Sequence, residues 1–391
     1  MKTERKYEID WLRIILIFSV FLFHVGMIFN TWGWHIKNET QYPELKSIMT
    51  FLHYWRMPML FFISGVGTYF ALGKRSIGKY IKERSSRLLV PLLFGIFLLV
   101  PVQVYIERID QYSSIWNYYT HMFDGVYPKG NFSWHHLWFL AYLFLASVIL
   151  VPFINFYKSD KSKAFKRFIT SVVQSKFGLY LFVIPLFLID FILKPYFPYE
   201  THALMDDWRF FTLNFLYFLF GYILLSNDDY VKAIFRKRYG MMIMAVISTT
   251  LMFLSPRIFP ENMISTIWDA SSILLSWFLC LSIVGYAQSF LRFNNKLRRI
   301  GNEMIYPFYL LHQPVIIILG FFIIQFETTD FIKFVSVLVS SFIFTIALYF
   351  LVIRQNKYLR IIFGVKKIVP VKFNIMVVKE KIINPWLKKA S

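Results

Sequence analysis

Cysteine is nearly absent. Cys280 is the one thiol among 391 residues, and a lone thiol closes no internal disulfide. No zinc-type or iron–sulfur spacing exists, so no metal is expected. Acids are scarce, 22 Asp and Glu against 43 Lys and Arg. No repeat is apparent, and no stretch is long enough to make a separate soluble domain. A cleavable signal peptide is missing as well. The first apolar run, Ile14 to Phe29, is too long for one and ends in Asn30-Thr31-Trp32-Gly33-Trp34 without a small-residue cleavage site. It reads as an uncleaved first span.

What is present is apolar. The chain is 57% hydrophobic and 20% aromatic, with mean hydropathy +0.51, well above a soluble domain. The expected fold is an all-α, polytopic integral membrane protein of about ten transmembrane helices. These are placed at 10–30, 48–72, 88–106, 136–157, 177–193, 209–226, 239–254, 265–288, 304–324 and 332–353, each about long enough for ~30 Å of hydrocarbon. Pro58, Pro91, Pro185, Pro307 and Pro314 fall in or beside spans, where neighbouring helices can satisfy the freed carbonyls. Residues 1–353 form the membrane domain and 354–391 a basic tail.

The net charge of +21 follows the positive-inside rule rather than nucleic-acid binding. Most Lys and Arg lie in 1–8, 73–87, 158–176, 226–240, 290–303 and 354–391, while the alternate loops carry acids such as Glu39, Glu107, Asp206 and Glu261. Both termini are therefore expected in the cytoplasm, with the tail along the anionic inner leaflet.

The first helix carries two polar residues that a plain anchor does not need. Arg13 and His24 are eleven positions apart, which on a helix is about 20° past three turns and about 16 Å of rise. They share a face at two depths. Arg56 in the second span, His136 at the start of the fourth and His312 in the ninth add further ionisable groups at membrane depth, where such groups are usually functional. Plainer roles stay open. Arg13 can snorkel, Arg56 can pair with a carbonyl or Asp190, His136 can sit in an aromatic belt, and His312 can be a core hydrogen-bonder.

Asp10-x-x-Arg13 followed by His24 resembles the signature of the acyltransferase family 3 membrane proteins, and Phe61-Phe62-Ile63-Ser64-Gly65 resembles their second-helix motif. Arg56-Met57-Pro58, His136-Leu137-Trp138-Phe139-Leu140 and Tyr306-Pro307-Phe308-Tyr309-Leu310-Leu311-His312-Gln313-Pro314 are similar to the glucans biosynthesis protein C branch, which succinylates periplasmic glucans. The likeness runs over nearly all ten spans. One departure stands out: the family's sugar O-acetylases follow His-x-Trp-x-Leu with Val-Glu-Glu-Gln-Phe, where this chain has Ala141-Tyr142-Leu143-Phe144.

The resemblance implies a multi-pass protein of a bacterial cell membrane. It would move an acyl group, acetyl or succinyl, from cytoplasmic acyl-coenzyme A (acyl-CoA) to a hydroxyl acceptor, commonly an extracytoplasmic glycan. In that scheme Arg13 holds the donor phosphates, with Asp10, Ser64 and the basic loop (Lys74, Arg75, Lys79, Lys82, Arg84, Arg87) around it. His24 is the general base. Arg56 orients an acceptor hydroxyl or a charged acyl group. His312 assists the leaving thiolate or lines the pocket, and His136, Trp138 and Tyr309 meet the acceptor. The donor would thread between the first, second and ninth spans. Direct transfer is favoured over an acyl-enzyme relay. The rival class is a proton-coupled exporter of a glycan or lipid. The bilayer is a partner, nucleic acid is not, and a homo-oligomer is open.

Overall fold

The computed structural model describes residues 6–73 and 75–365. Lys74 and the tail from residue 366 onward lie outside them. Among the described residues there is no β-strand, only one isolated bridge between Val126 and Phe132. The rods are α1 (Tyr7–Met27), α2 (Pro43–Leu72), α3 (Ile77–Glu107), α4 (His135–Lys158), α5 (Asp160–Gln174), α6 (Gly178–Leu193), α7 (Trp208–Leu224), α8 (Asp228–Ile258), α9 (Glu261–Phe290), α10 (Lys296–Ile323) and α11 (Asp330–Ile353).

Seven of them, α1, α3, α4, α8, α9, α10 and α11, are long and apolar enough to cross a bilayer. The other expected spans are still helical. α2 is diluted by Arg56 and by the small residues around Ser64 and Gly65, and α7 has only 17 residues. The fifth span needs correcting. The loop expected over 158–176 is largely helix, and α5 meets α6 at a bend of 113°. α5 alternates basic residues with a face that buries Ile169 and Val173, so a search for apolar runs finds only the α6 arm.

Several helices also outrun their apolar runs. α10 starts at Lys296 because the Asn295 side chain accepts from the Arg298 backbone N–H at 2.8 Å and caps the first turn. Pro43 opens α2 in the first turn, where its missing N–H costs nothing.

Cross-links show which ends meet. Lys6 pairs with Asp228 at 3.0 Å, Lys158 donates to the Leu72 carbonyl at 3.0 Å, and Arg354 pairs with Glu303 at 2.8 Å. These gather the starts of α1, α8 and α10 with the ends of α2, α4 and α11 into one basic end. At the opposite end Asp330 accepts from Asn38 and Tyr42, and His53 pairs with Glu200.

At the centre α1 packs between α2 and α10, and α2 packs along α7. The last contact is backbone to backbone. A Cβ on Gly65 would run into the Phe218 carbonyl, and one on Gly221 into the Phe62 carbonyl. The Gly of the Phe-Phe-Ile-Ser-Gly stretch therefore sets the α2–α7 approach, and α2 packs in turn on α1, where Arg56 meets Phe23.

Candidate active site

A cavity of about 620 Å³ opens between α1, α2, α3, α4 and α10 at the basic end. Arg13, Arg75, Arg84, Arg87, Arg298 and Arg299 line it against Glu83 and Glu303. Its cations are held in place. Arg84 donates to Thr68 Oγ1 at 2.8 Å and to the Tyr80 hydroxyl at 3.1 Å. Arg75 sits 2.6 Å and Arg87 3.6 Å from Glu83. Arg13 reaches Asn302 Oδ1 at 3.4 Å. Such a surplus of oriented guanidinium groups suits a polyanion, phosphate above all.

Of the expected donor-side residues, Lys79 and Lys82 stay outside this cavity, while Arg13, Ser64, Arg75, Arg84 and Arg87 line it. Asp10 does not. Its carboxylate accepts from Arg298 and lies 3.7 Å from Arg13, so it acts behind the wall, on the arginines. The cavity has α3 and α4 among its walls besides α1, α2 and α10, the three helices between which the sequence places a passage.

The inner end of the cavity is apolar, closed by Ile17, Leu60, Phe139 and Tyr309. Beyond Tyr309 lies the histidine cluster. The Tyr309 ring centroid is 5.8 Å from that of His312, and the His312 Nε2 is 2.8 Å from His24 Nδ1. His24 is half-buried and lies roughly parallel to Trp34 at 6.1 Å. So Arg13 and His24 do share a face of α1, but the cavity that Arg13 lines ends at Tyr309, one ring short of His312.

His136 completes the group, its ring 5.4 Å from and perpendicular to that of His312. Its position follows from a proline. Pro314 has no N–H, which frees the Leu310 carbonyl one turn back, and His136 Nε2 lies 3.1 Å from that oxygen. Tyr309 in turn donates its hydroxyl to the His136 carbonyl. Trp138 faces elsewhere, stacked on His202 with centroids 4.4 Å apart. Arg56 is only 6% exposed, with its guanidinium 3.2 Å from the centroid of the Phe23 ring. Its Nε and Nη1 have no hydrogen-bond partner among the described residues. Asp190, one partner weighed for it, instead pairs with Arg209 at 3.7 Å.

Sequence reasoning missed a second polar layer. Gln313 donates to Gln103 Oε1 at 3.0 Å and meets His35 Nε2 at 3.3 Å, while His35 Nδ1 bonds Glu107. A glutamine in the apolar run Val102-Gln103-Val104 was a signal for this. His35, in an aromatic loop, gave none.

At the far end a second cavity, also of about 620 Å³, is lined by Trp32, His53, Tyr54, Glu200, His202 and Trp268 among others. The 194–207 segment walls it and is pinned by Asp207, whose Oδ2 accepts from Tyr142 at 2.7 Å and from the His202 backbone N–H at 3.0 Å. Burial pushes the Asp207 carboxyl up to about 7, outweighing those hydrogen bonds. Burial also lowers His202 to about 4. A raised acid stabilises the fold when protonated, so the Asp207 contribution is full below about pH 4 and is lost as pH rises through about 7. The lowered His202 works oppositely, its contribution being lost as pH falls from about 6.5. Above that value the Asp207 contribution keeps falling as pH rises, while that of His202 is already complete. The thermal midpoint in detergent should fall between about pH 6.5 and pH 8, and Asp207→Asn should flatten that fall. An unchanged slope in the variant removes Asp207 from this role.

Among the described residues no group of three His, Cys, Asp or Glu is placed to hold a metal ion. Cys280 is buried in α9.

Long apolar helices around a basic cavity and a buried histidine cluster define a multi-pass, all-α membrane protein. The profile of the acyltransferase domain family matches residues 6–353, and the chain belongs to that family, acyltransferase family 3. Similar relatives are Glucans biosynthesis protein C of Salmonella paratyphi B, Salmonella heidelberg and Salmonella dublin. Each is 25% identical over 170 residues, 42% of this chain and 43% of the relative. The match thus spans under half the length of these curated relatives. No solved structure matches.

Proposed function

We propose that this membrane acyltransferase moves an acetyl or succinyl group from acyl-CoA to a hydroxyl of an acceptor, a glycan by preference, with His24 as general base. One observation carries the reading: a cavity walled by six arginines runs inward to Tyr309, against a histidine pair reached from α1 and α10. The phosphates of the donor would lie among Arg13, Arg84 and Arg87, with the pantetheine arm pointing at Tyr309. The placement of the basic segments supports the basic end facing the cytoplasm of a bacterial cell and the second cavity receiving the acceptor from outside.

In direct transfer His24 takes the proton from the acceptor hydroxyl as its oxygen attacks the thioester carbonyl. The carbon–sulfur bond then breaks, and the proton passes to the departing thiolate. Arg56, buried and close to His24 through Phe23, supplies positive charge near the developing oxyanion.

The test uses purified protein with radiolabelled acetyl- or succinyl-coenzyme A and candidate glycans, scoring labelled glycan and free thiol. Thiol release with label transfer supports the proposal. Uptake of glycan into vesicles without thiol release sinks it in favour of an exporter. In the same assay Arg13→Ala should raise the donor KM about 10- to 100-fold, the worth of one charge-assisted hydrogen bond, with kcat nearly unchanged. An unaltered donor KM contradicts the role given to Arg13.

A further inference from the structure

Resting on the acyltransferase reading, we propose that His312 is a positioning residue: it fixes His24 in the tautomer with its proton on Nδ1, so that Nε2 is the nitrogen that acts as base. The assignment follows from two distances and one carbonyl. His312 Nδ1 lies 2.6 Å from the Tyr309 carbonyl oxygen, and a carbonyl only accepts, so that nitrogen carries a proton. His312 is fully buried. Its ring neighbours are His24, His136, Phe308 and Tyr309, with no carboxylate in contact among the described residues. A second proton there would be a buried charge without a counter-ion, which is costly. The ring is therefore neutral, and its Nε2 is a lone pair.

That lone pair faces His24 Nδ1 at 2.8 Å. Two lone pairs do not bond at such a distance, so His24 Nδ1 must be the donor. One proton per neutral imidazole then leaves His24 Nε2 unprotonated, and it makes no hydrogen bond among the described residues. The order is carbonyl, His312, His24, acceptor hydroxyl, a relay of orientation in which only the last member handles the substrate proton. When His24 gains that proton, its Nδ1–H still points at His312 Nε2 and keeps the ring aimed. This differs from a role in which His312 itself protonates the thiolate.

The experiment labels the full-length protein with [15N]histidine and reads the ring nitrogen shifts, with His24→Gln identifying the His24 signals. Wild type should show His24 protonated on Nδ1. His312→Asn reaches only as far as the Tyr309 carbonyl, and His312→Ala reaches neither group. Both should lose that tautomer preference and lower kcat for thiol release from acetyl- or succinyl-coenzyme A by about 100-fold or more, with the donor KM unchanged. His312→Gln places an amide oxygen near the position of Nε2 and should restore the tautomer and at least about tenfold of the lost rate. Two results overturn the proposal: His312→Ala that keeps the Nδ1–H signal, or a folded His312→Gln no better than His312→Asn in both readouts. Wild type that releases no thiol would instead defeat the acyltransferase reading, while the tautomer spectra still decide the role of His312.

Discussion

His24→Ala should leave a folded protein that binds the donor normally and transfers acyl groups about 10²- to 10⁴-fold more slowly, the usual contribution of a positioned general base. The size of the effect follows from where His24 sits. It is half-buried near the end of α1, with one nitrogen committed to His312 at 2.8 Å, and no other described imidazole takes its place. His136 is turned to the Leu310 carbonyl, and His35 is bound to Glu107. Donor binding survives because Arg13, Arg84 and Arg87 line the cavity on the other side of Tyr309. The fold should survive too, since the trimmed ring leaves a gap beside Trp34 and not an unpaired charge. Steady-state kinetics with varied donor separates the two quantities. A well-folded His24→Ala enzyme at wild-type kcat ends the case for His24 as base.

Much of this site was legible because a helix repeats every 3.6 residues. That period alone put Arg13 and His24 on one face of α1. Span placement brought in His312 and the motif resemblance Tyr309, but neither gave that His312 Nε2 would lie against His24 Nδ1, since that pairing joins residues 288 positions apart. Arg298 was counted only as a charge setting orientation. Hydropathy ends the ninth span near residue 304, whereas the Asn295 cap starts α10 at Lys296 and turns Arg298 inward. The bend between α5 and α6 escaped for a related reason. α5 is amphipathic and lies beside a short apolar arm, so its helical period is masked in any search for continuous apolar length. Where positions are set by burial along a regular element the sequence speaks. Where they are set by a freed carbonyl, as for His136 below Pro314, it does not.

The other large effect belongs to Asp10, and it concerns stability. Arg298 is 2% exposed. Its guanidinium is shared among the Asp10 carboxylate, Asn294 Oδ1 at 2.9 Å and the face of Tyr7 at 4.6 Å. Of these only Asp10 is a counter-charge. Asp10→Ala would leave a buried cation with neutral partners, which costs about 3–5 kcal/mol, or a fall of about 4–6 °C in the thermal midpoint of a chain this long. Replacing both members, Asp10→Ala with Arg298→Met, removes the stranded charge and should recover most of that loss, because a buried pair is worth little more than apolar residues of similar volume. A direct donor contact by Asp10 makes the opposite forecast: a raised donor KM, a midpoint near wild type and no rescue by the second substitution. The geometry favours the first outcome, since Asp10 stands outside the cavity lining while Arg13 and Arg298 stand within it. The acid of the Asp10-x-x-Arg13 pair thereby shapes the basic cavity through the two arginines that it anchors.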